Sequence, residues 1–132
     1  MTNYTQDAVT AFHKFNDAWN DGDVETQISL MHFPHIRLSG NNDFESFKTE
    51  DDFRVAQINV PAILEAEGWH HTSTLSIDGV QSGPEKVHLV IRQSRQDEKG
   101  IEYNGFETLW IFTKIGERWG VQFRSSFLSQ VN

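Results

Sequence analysis

The hydrophobic period of this 132-residue chain changes once, near Trp69, and that change constrains its fold more than any single motif. Before it, apolar residues recur at helical spacing. Ala8, Ala11, Phe12, Phe15, Ala18 and Trp19 share one helix face, while His13, Asn16 and Asp17 fall elsewhere on the wheel. Asn20-Asp21-Gly22 stops this helix, with Gly22 suited to a left-handed cap. Asp23 suits the N-cap of a shorter second helix whose apolar face is Val24, Ile28 and Met31. Pro34 ends that helix, because proline pushes the residue before it out of the helical region. Residues 35–48 read as two short strands around Gly40-Asn41-Asn42. A third helix opens at Thr49, followed by three acidic residues suited to a first turn. Its face is Phe53, Ala56, Val60, Ile63 and Leu64; Pro61 either kinks it or opens a second helical piece, and Gly68 closes it.

From Trp69 onward the period is 2. Val87–Ile91, Glu102–Lys114 and Arg118–Leu128 read as strands. Turn signals at Ser82-Gly83-Pro84-Glu85, Asp97-Glu98-Lys99-Gly100 and Ile115-Gly116 separate them. Helices followed by a long antiparallel meander specify an α+β fold with helices on one face of a curved sheet. No Pro/Gly/Ser-rich linker and no repeat divides the chain, so residues 1–132 are expected to form a single domain.

Composition narrows the function classes. With 10 Phe and 4 Trp, the chain can bury a core without disulfide or metal staples. Its 19 acidic residues against 11 basic argue against nucleic acid and against an anionic membrane surface. The acidity lies in residues 1–67, which hold 12 acidic and 4 basic residues, whereas residues 68–132 hold 7 of each. No apolar run is long enough to span a bilayer, and Met1 to Asp7 is too polar for a secretory signal. Cysteine is absent, which removes disulfides, thiolate zinc sites and cysteine nucleophiles. A cytoplasmic protein is the expectation. The sequence holds no Gly-x-Ser-x-Gly elbow, no phosphate-binding glycine loop and no His-Glu-x-x-His helix, so no cofactor and no metal are expected.

The opening AVTAFHKFNDAWNDGDVETQISLMH resembles the first two helices of the nuclear-transport-factor-2-like superfamily, which includes SnoaL-like cyclases and ketosteroid isomerase. The aromatic helix, the Asn-Asp-Gly-Asp break at 20–23 and the passage from Met31 to Pro34 carry the likeness. The tail LWIFTKIGERWGVQFRSSF is similar to the last hairpin of the same superfamily. The resemblance implies a cone-shaped sheet wrapped around three N-terminal helices, a pocket at the wide end and a homodimer through the outer sheet face. It does not imply one chemistry, since a fold hosts many. The isomerase pattern asks for a Tyr on the first helix and an Asp on each of two strands. Aligned on the Gly-Asp break and the final hairpin, those places hold Phe15, Ser39 and Trp110, so isomerase chemistry of that kind is excluded.

Strand faces then follow from turn lengths. A tight turn about Ile115-Gly116 opposes Trp110 to Val121 and Phe112 to Trp119. Phe106, Trp110, Phe112, Trp119, Val121 and Phe123 then share the inner face, and the preceding turn adds Val87, Leu89 and Ile91. The outer face carries Val90, Leu109 and Ile111 with His88, Arg92, Glu107, Gln122 and Arg124. Its mixture of aliphatic and charged groups suits a dimer interface, with Arg92, Glu107 and Arg124 as interface ion pairs. A bulge would reverse these assignments beyond it.

Histidines titrate near neutrality. His13 falls on the solvent side of its helix, while His70 and His71, adjacent on a strand, point to opposite faces. His32 and His35 flank Phe33-Pro34 without a third metal ligand at suitable spacing. Arg37 and Ser39 share a strand face with His35, and that face meets the pocket mouth in the resembling fold. Two readings stay open. In one, the chain is an enzyme (an isomerase, dehydratase or cyclase) acting on a small apolar carbonyl compound. His35 or His71 would serve as acid/base and Arg37 as the electrostatic partner. In the other it is a noncatalytic dimer that captures a small apolar molecule or another protein. The pocket wall in either is expected to be Phe15, Trp19, Ser39, Phe53, Phe106, Trp110, Phe123 and Phe127.

Overall fold

The computed structural model describes residues 3–128. Helix α1 (Tyr4–Asp21) buries Ala8, Ala11, Phe12, Phe15 and Ala18, the apolar stripe of the sequence. Asn3 caps its start, and Gly22, at φ +68°, caps its end by donating to Ala18 and Trp19 carbonyls. Glycine reaches that backbone region without the steric cost of a Cβ. Asp23 then accepts from the Thr26 amide to cap α2 (Val24–Ser29). Thr49 and Asp52 form a reciprocal capping box at the start of α3 (Glu50–Gln57). Pro61 sits in the first turn of a separate helix, α4 (Val60–Glu67), where its missing N–H costs nothing. Among the described residues there are therefore four helical pieces rather than three.

Six strands among the described residues follow the order β2-β1-β6-β5-β4-β3 in one sheet. They are β1 (Met31–Leu38), β2 (Phe44–Phe47), β3 (His71–Ser82), β4 (Lys86–Gln96), β5 (Glu102–Ile115) and β6 (Arg118–Ser126). Neighbours are antiparallel except β1 and β6, which run parallel, so the sheet is mixed rather than wholly antiparallel. Met31 belongs to β1 and not to the second helix, and Pro34 lies inside β1 where its register with β6 shifts. That shift accommodates a residue with no amide to donate. Close approach of β1 to β6 also requires Gly120: a Cβ there would stand 2.8 Å from the His32 ring and 2.9 Å from the Met31 backbone.

The helices pack on the concave face. Phe12 and Phe15 meet Trp110 edge-on at 4.9 and 5.1 Å between ring centroids. Val87, Leu89, Ile91, Phe112 and Val121 are fully buried beneath them. These strand residues lie on the face their sequence period assigns.

One irregularity changes the inner wall. β5 and β6 pair Phe112 with Val121, but Ile111 with Phe123 and Trp110 with Arg124. Gln122 is the extra residue between the two registers. A one-residue bulge turns every later side chain to the other face. Phe123 consequently joins Ile111 on the outer face, and Arg124 comes opposite Trp110 on the inner one. Both assignments reverse the sequence expectation. Val121-Gln122-Phe123-Arg124 alternates apolar and polar, so nothing local marks the bulge.

Candidate functional site

A cavity of about 470 Å³ lies between the concave sheet face and the α3–α4 pair. Aromatic side chains of Phe15, Trp19, Phe106 and Trp110 line it from α1 and β5. Polar groups converge from the strands: Arg37, Glu45, Gln93, Thr108 and Arg124. A larger cleft, about 760 Å³, lies between the ends of α1 and α4 and the β4–β5 turn. Trp19, Gln57, Val60 and Leu64 border both spaces. The smaller cavity sets three arginines and three carboxylates beside its aromatic wall, whereas the larger cleft carries Asp21, Glu65, His70, Asp97, Glu98 and Lys99.

Arg124 is the centre of that set. Its Nε donates to His35 Nε2 at 3.0 Å. Its guanidinium lies 5.4 Å from the Trp110 ring centroid and 5.7 Å from that of Phe15, within cation–π range. Burial, with Arg37 nearby, lowers its pKa to about 9. Arg37 is itself paired with Glu45 at 2.8 Å.

His35 is fully buried behind Arg124. Since Arg124 donates to Nε2, the imidazole proton sits on Nδ1, which donates to the Val121 carbonyl at 3.1 Å. Desolvation and the positive charge of Arg124 push its pKa down to about 2. A related pairing, with the two ring nitrogens exchanged, lies three residues earlier on β1. Arg118 donates to His32 Nδ1 at 3.0 Å, and His32 Nε2 donates to the Arg118 carbonyl at 2.9 Å. Burial likewise lowers the His32 pKa. Each histidine is thus a neutral spacer that holds a β6 arginine, with both nitrogens engaged.

A second polar group fixes the cavity's far wall. Arg95 pairs with Glu67 at 3.0 Å, and the Tyr103 hydroxyl donates to the same carboxylate at 2.9 Å. Burial and Glu67 raise the Tyr103 pKa to about 12. Buried Thr72 joins the helices to β3: its Oγ1 accepts from Trp19 Nε1 at 3.1 Å and Trp69 Nε1 at 2.9 Å. Its amide donates to Asn20 Oδ1, and its carbonyl accepts from Asn16 and Asn20.

The structure brings Phe15, Trp19, Arg37, Ser39, Phe106 and Trp110 to the cavity. The other expected site residues lie elsewhere. His35 is sealed behind Arg124. His71 precedes inward-facing Thr72 and contacts His70 at 3.1 Å. Phe53 is buried against Phe33 and Phe47 in the core. Phe123 faces outward beyond the bulge, and Phe127 is 75% exposed. Arg124, expected on the outer face, stands in the cavity wall, and Glu45, Gln93 and Thr108 join it there with no motif to mark them. Alternation from the buried Ile91 would have pointed Gln93 inward.

The arrangement of helices on a curved, unclosed sheet superposes on solved structures. An NTF-2 like protein of unknown function from Shewanella oneidensis superposes with a TM-score of 0.73 at 19% identity, covering 92% of this chain and 97% of that one. The chain has the nuclear-transport-factor-2-like fold. A ketosteroid isomerase-like protein from Erwinia carotovora atroseptica gives 0.67 at 10% identity, covering 96% of each chain. A putative Ca/calmodulin-dependent kinase II association domain from Exiguobacterium sibiricum gives 0.70 at 9%, covering 99% of this chain and 98% of that one. No protein-family model and no curated protein matches the sequence. At these identities the likeness is one of fold. Among the described residues no helix is long and apolar enough to cross a membrane.

Proposed function

We propose that this chain is a small-molecule-binding protein that captures a compact, largely apolar ligand in the cone cavity. The observation that carries this reading is the convergence of polar groups inside an aromatic-walled space, rather than their scatter around its rim. Binding is favoured over acid/base turnover. His35 has no free nitrogen and a pKa far below neutrality, while His71 stands outside the cavity. Arg37 keeps the electrostatic role expected of it, now shared with Arg124. A cytoplasmic setting remains part of the proposal, on the cysteine-free composition.

We also propose that the outer sheet face joins two copies. His88, Arg92, Glu107, Leu109, Ile111 and Gln122 lie there, and Phe123 replaces Arg124 in that set. Ile111 and Phe123 stand directly opposed, adding an aromatic contact that suits such an interface.

Native mass spectrometry of freshly purified protein, then denaturing analysis of what it releases, tests the binding reading. A bound small organic molecule is expected, and Trp110→Ala should lower its occupancy severalfold. Equal occupancy in the Trp110→Ala variant would refute the assignment to this cavity.

A further inference from the structure

We propose that the ligand of the cone cavity is a small organic monocarboxylate whose carboxylate engages the outer edge of Arg124 and whose flat apolar body lies against Trp110 and Phe15. This deepens the binding reading and rests on it.

Arg37 is matched by Glu45 at 2.8 Å and Arg95 by Glu67 at 3.0 Å. Arg124 makes no ion pair among the described residues, and its one side-chain hydrogen bond goes to a neutral imidazole. An arginine held deep in a protein without a counter-ion is expensive unless its partner arrives from outside. Of the six charged side chains that line the cavity, three of each sign, Arg124 is the cation left without an ion-pair partner among the described residues.

The geometry narrows the anion. Nε is committed to His35, which fixes the guanidinium plane, so the two Nη groups form the edge left for a guest. Two parallel N–H donors match the two oxygens of a carboxylate. Asp43 and Glu45 also line the cavity and would repel a dianion such as a phosphate monoester. The aromatic rings beside the guanidinium supply a flat apolar surface contiguous with the anion site. The lowered pKa of Arg124 agrees with a charge awaiting its partner.

The test compares each acid with its neutral amide, which has nearly the same shape. Calorimetric titrations would use phenylacetate against phenylacetamide and 2-naphthoate against 2-naphthamide. Each acid should bind wild-type protein about tenfold or more tightly than its amide, as a charge-assisted pair exceeds a neutral one. In Arg124→Gln the acid's advantage should vanish, each acid falling to within about twofold of its own amide measured in the same variant. Arg124→Lys keeps the charge without the fork and should retain only part of the preference. Equal binding of acid and amide by wild type would overturn the carboxylate inference and leave the cavity reading standing. A preference that survives Arg124→Gln would overturn the assignment to Arg124. Failure of both pairs to bind at millimolar concentration would overturn the inference together with the cavity reading.

Discussion

Thr72→Val should destabilise the protein although it replaces a hydroxyl by a methyl in the core. Thr72 is 4% exposed, and its Oγ1 is the acceptor for the indole N–H groups of both Trp19 and Trp69. Valine keeps the branched shape and leaves two donors without a partner. A buried donor stripped of its acceptor costs about 1–3 kcal/mol. Both indoles are only half-buried, so water recovers part of that and the low end applies, about 1 kcal/mol each. The expected loss is about 2 kcal/mol. With an unfolding entropy near 2.1 cal/mol/K per residue over 132 residues, this corresponds to a Tm drop of about 7 °C. Urea unfolding followed by tryptophan fluorescence, at one fixed protein concentration, measures it, and the slope of free energy against urea should not change. Thr72→Ser retains the acceptor and should lose only about 1 kcal/mol, for one buried methyl. In a double-mutant cycle, Trp69→Phe removes one donor, so its cost together with Thr72→Val should fall about 1 kcal/mol short of additivity. A Thr72→Val variant as stable as the parent, or a strictly additive cycle, would refute this account of how the helices are fastened to β3.

His35 should make the protein acid-sensitive. Its folded pKa, about 2, lies below the ordinary 6.5, so the unfolded chain binds the proton first. Its contribution is complete above pH 6.5 and is lost as pH falls from there toward 2, by up to about 1.4 kcal/mol per unit. His32 acts in the same direction. Unfolding free energies at pH 7 and pH 5.5 should therefore converge in His35→Gln relative to wild type, and an unchanged pH dependence would contradict the buried neutral imidazole. Glu67→Gln strands the charge of Arg95, both side chains being about 13–14% exposed, and should cost about 2 kcal/mol in urea unfolding. A loss under about 0.5 kcal/mol would place that pair among surface ion pairs. Sedimentation velocity at micromolar concentration should show a dimer that Ile111→Lys splits with unchanged circular dichroism; a wild-type monomer would remove the interface proposal.

Much of the architecture is carried by local physics. The stripe Ala8 to Ala18 can only be the buried face of a helix, Gly22 can only serve where a left-handed residue is wanted at low cost, and Thr49 with Asp52 closes a capping box within four residues. Pro61 admitted two outcomes, a kink or a new first turn, and packing selected the second. Val87, Leu89 and Ile91 alternate so strictly that their inward face follows from the pleat alone.

The candidate site is different, because its defining contacts join distant parts of the chain. His35 meets Arg124 only because β1 lies parallel to β6, a pairing with no signature in either segment. Arg124 points inward only because Gln122 bulges, although the residues around it alternate as a regular strand would. A single inserted register step exchanges Phe123 for Arg124 in the cavity wall, turning an aromatic position into a cationic one. Sequence by itself determined the helix caps, the apolar stripe of α1 and the inward face of β4, since each depends on neighbours a few residues apart. Tertiary structure alone decided which charge enters the cavity, because strand register is set by pairing energies summed across the whole sheet.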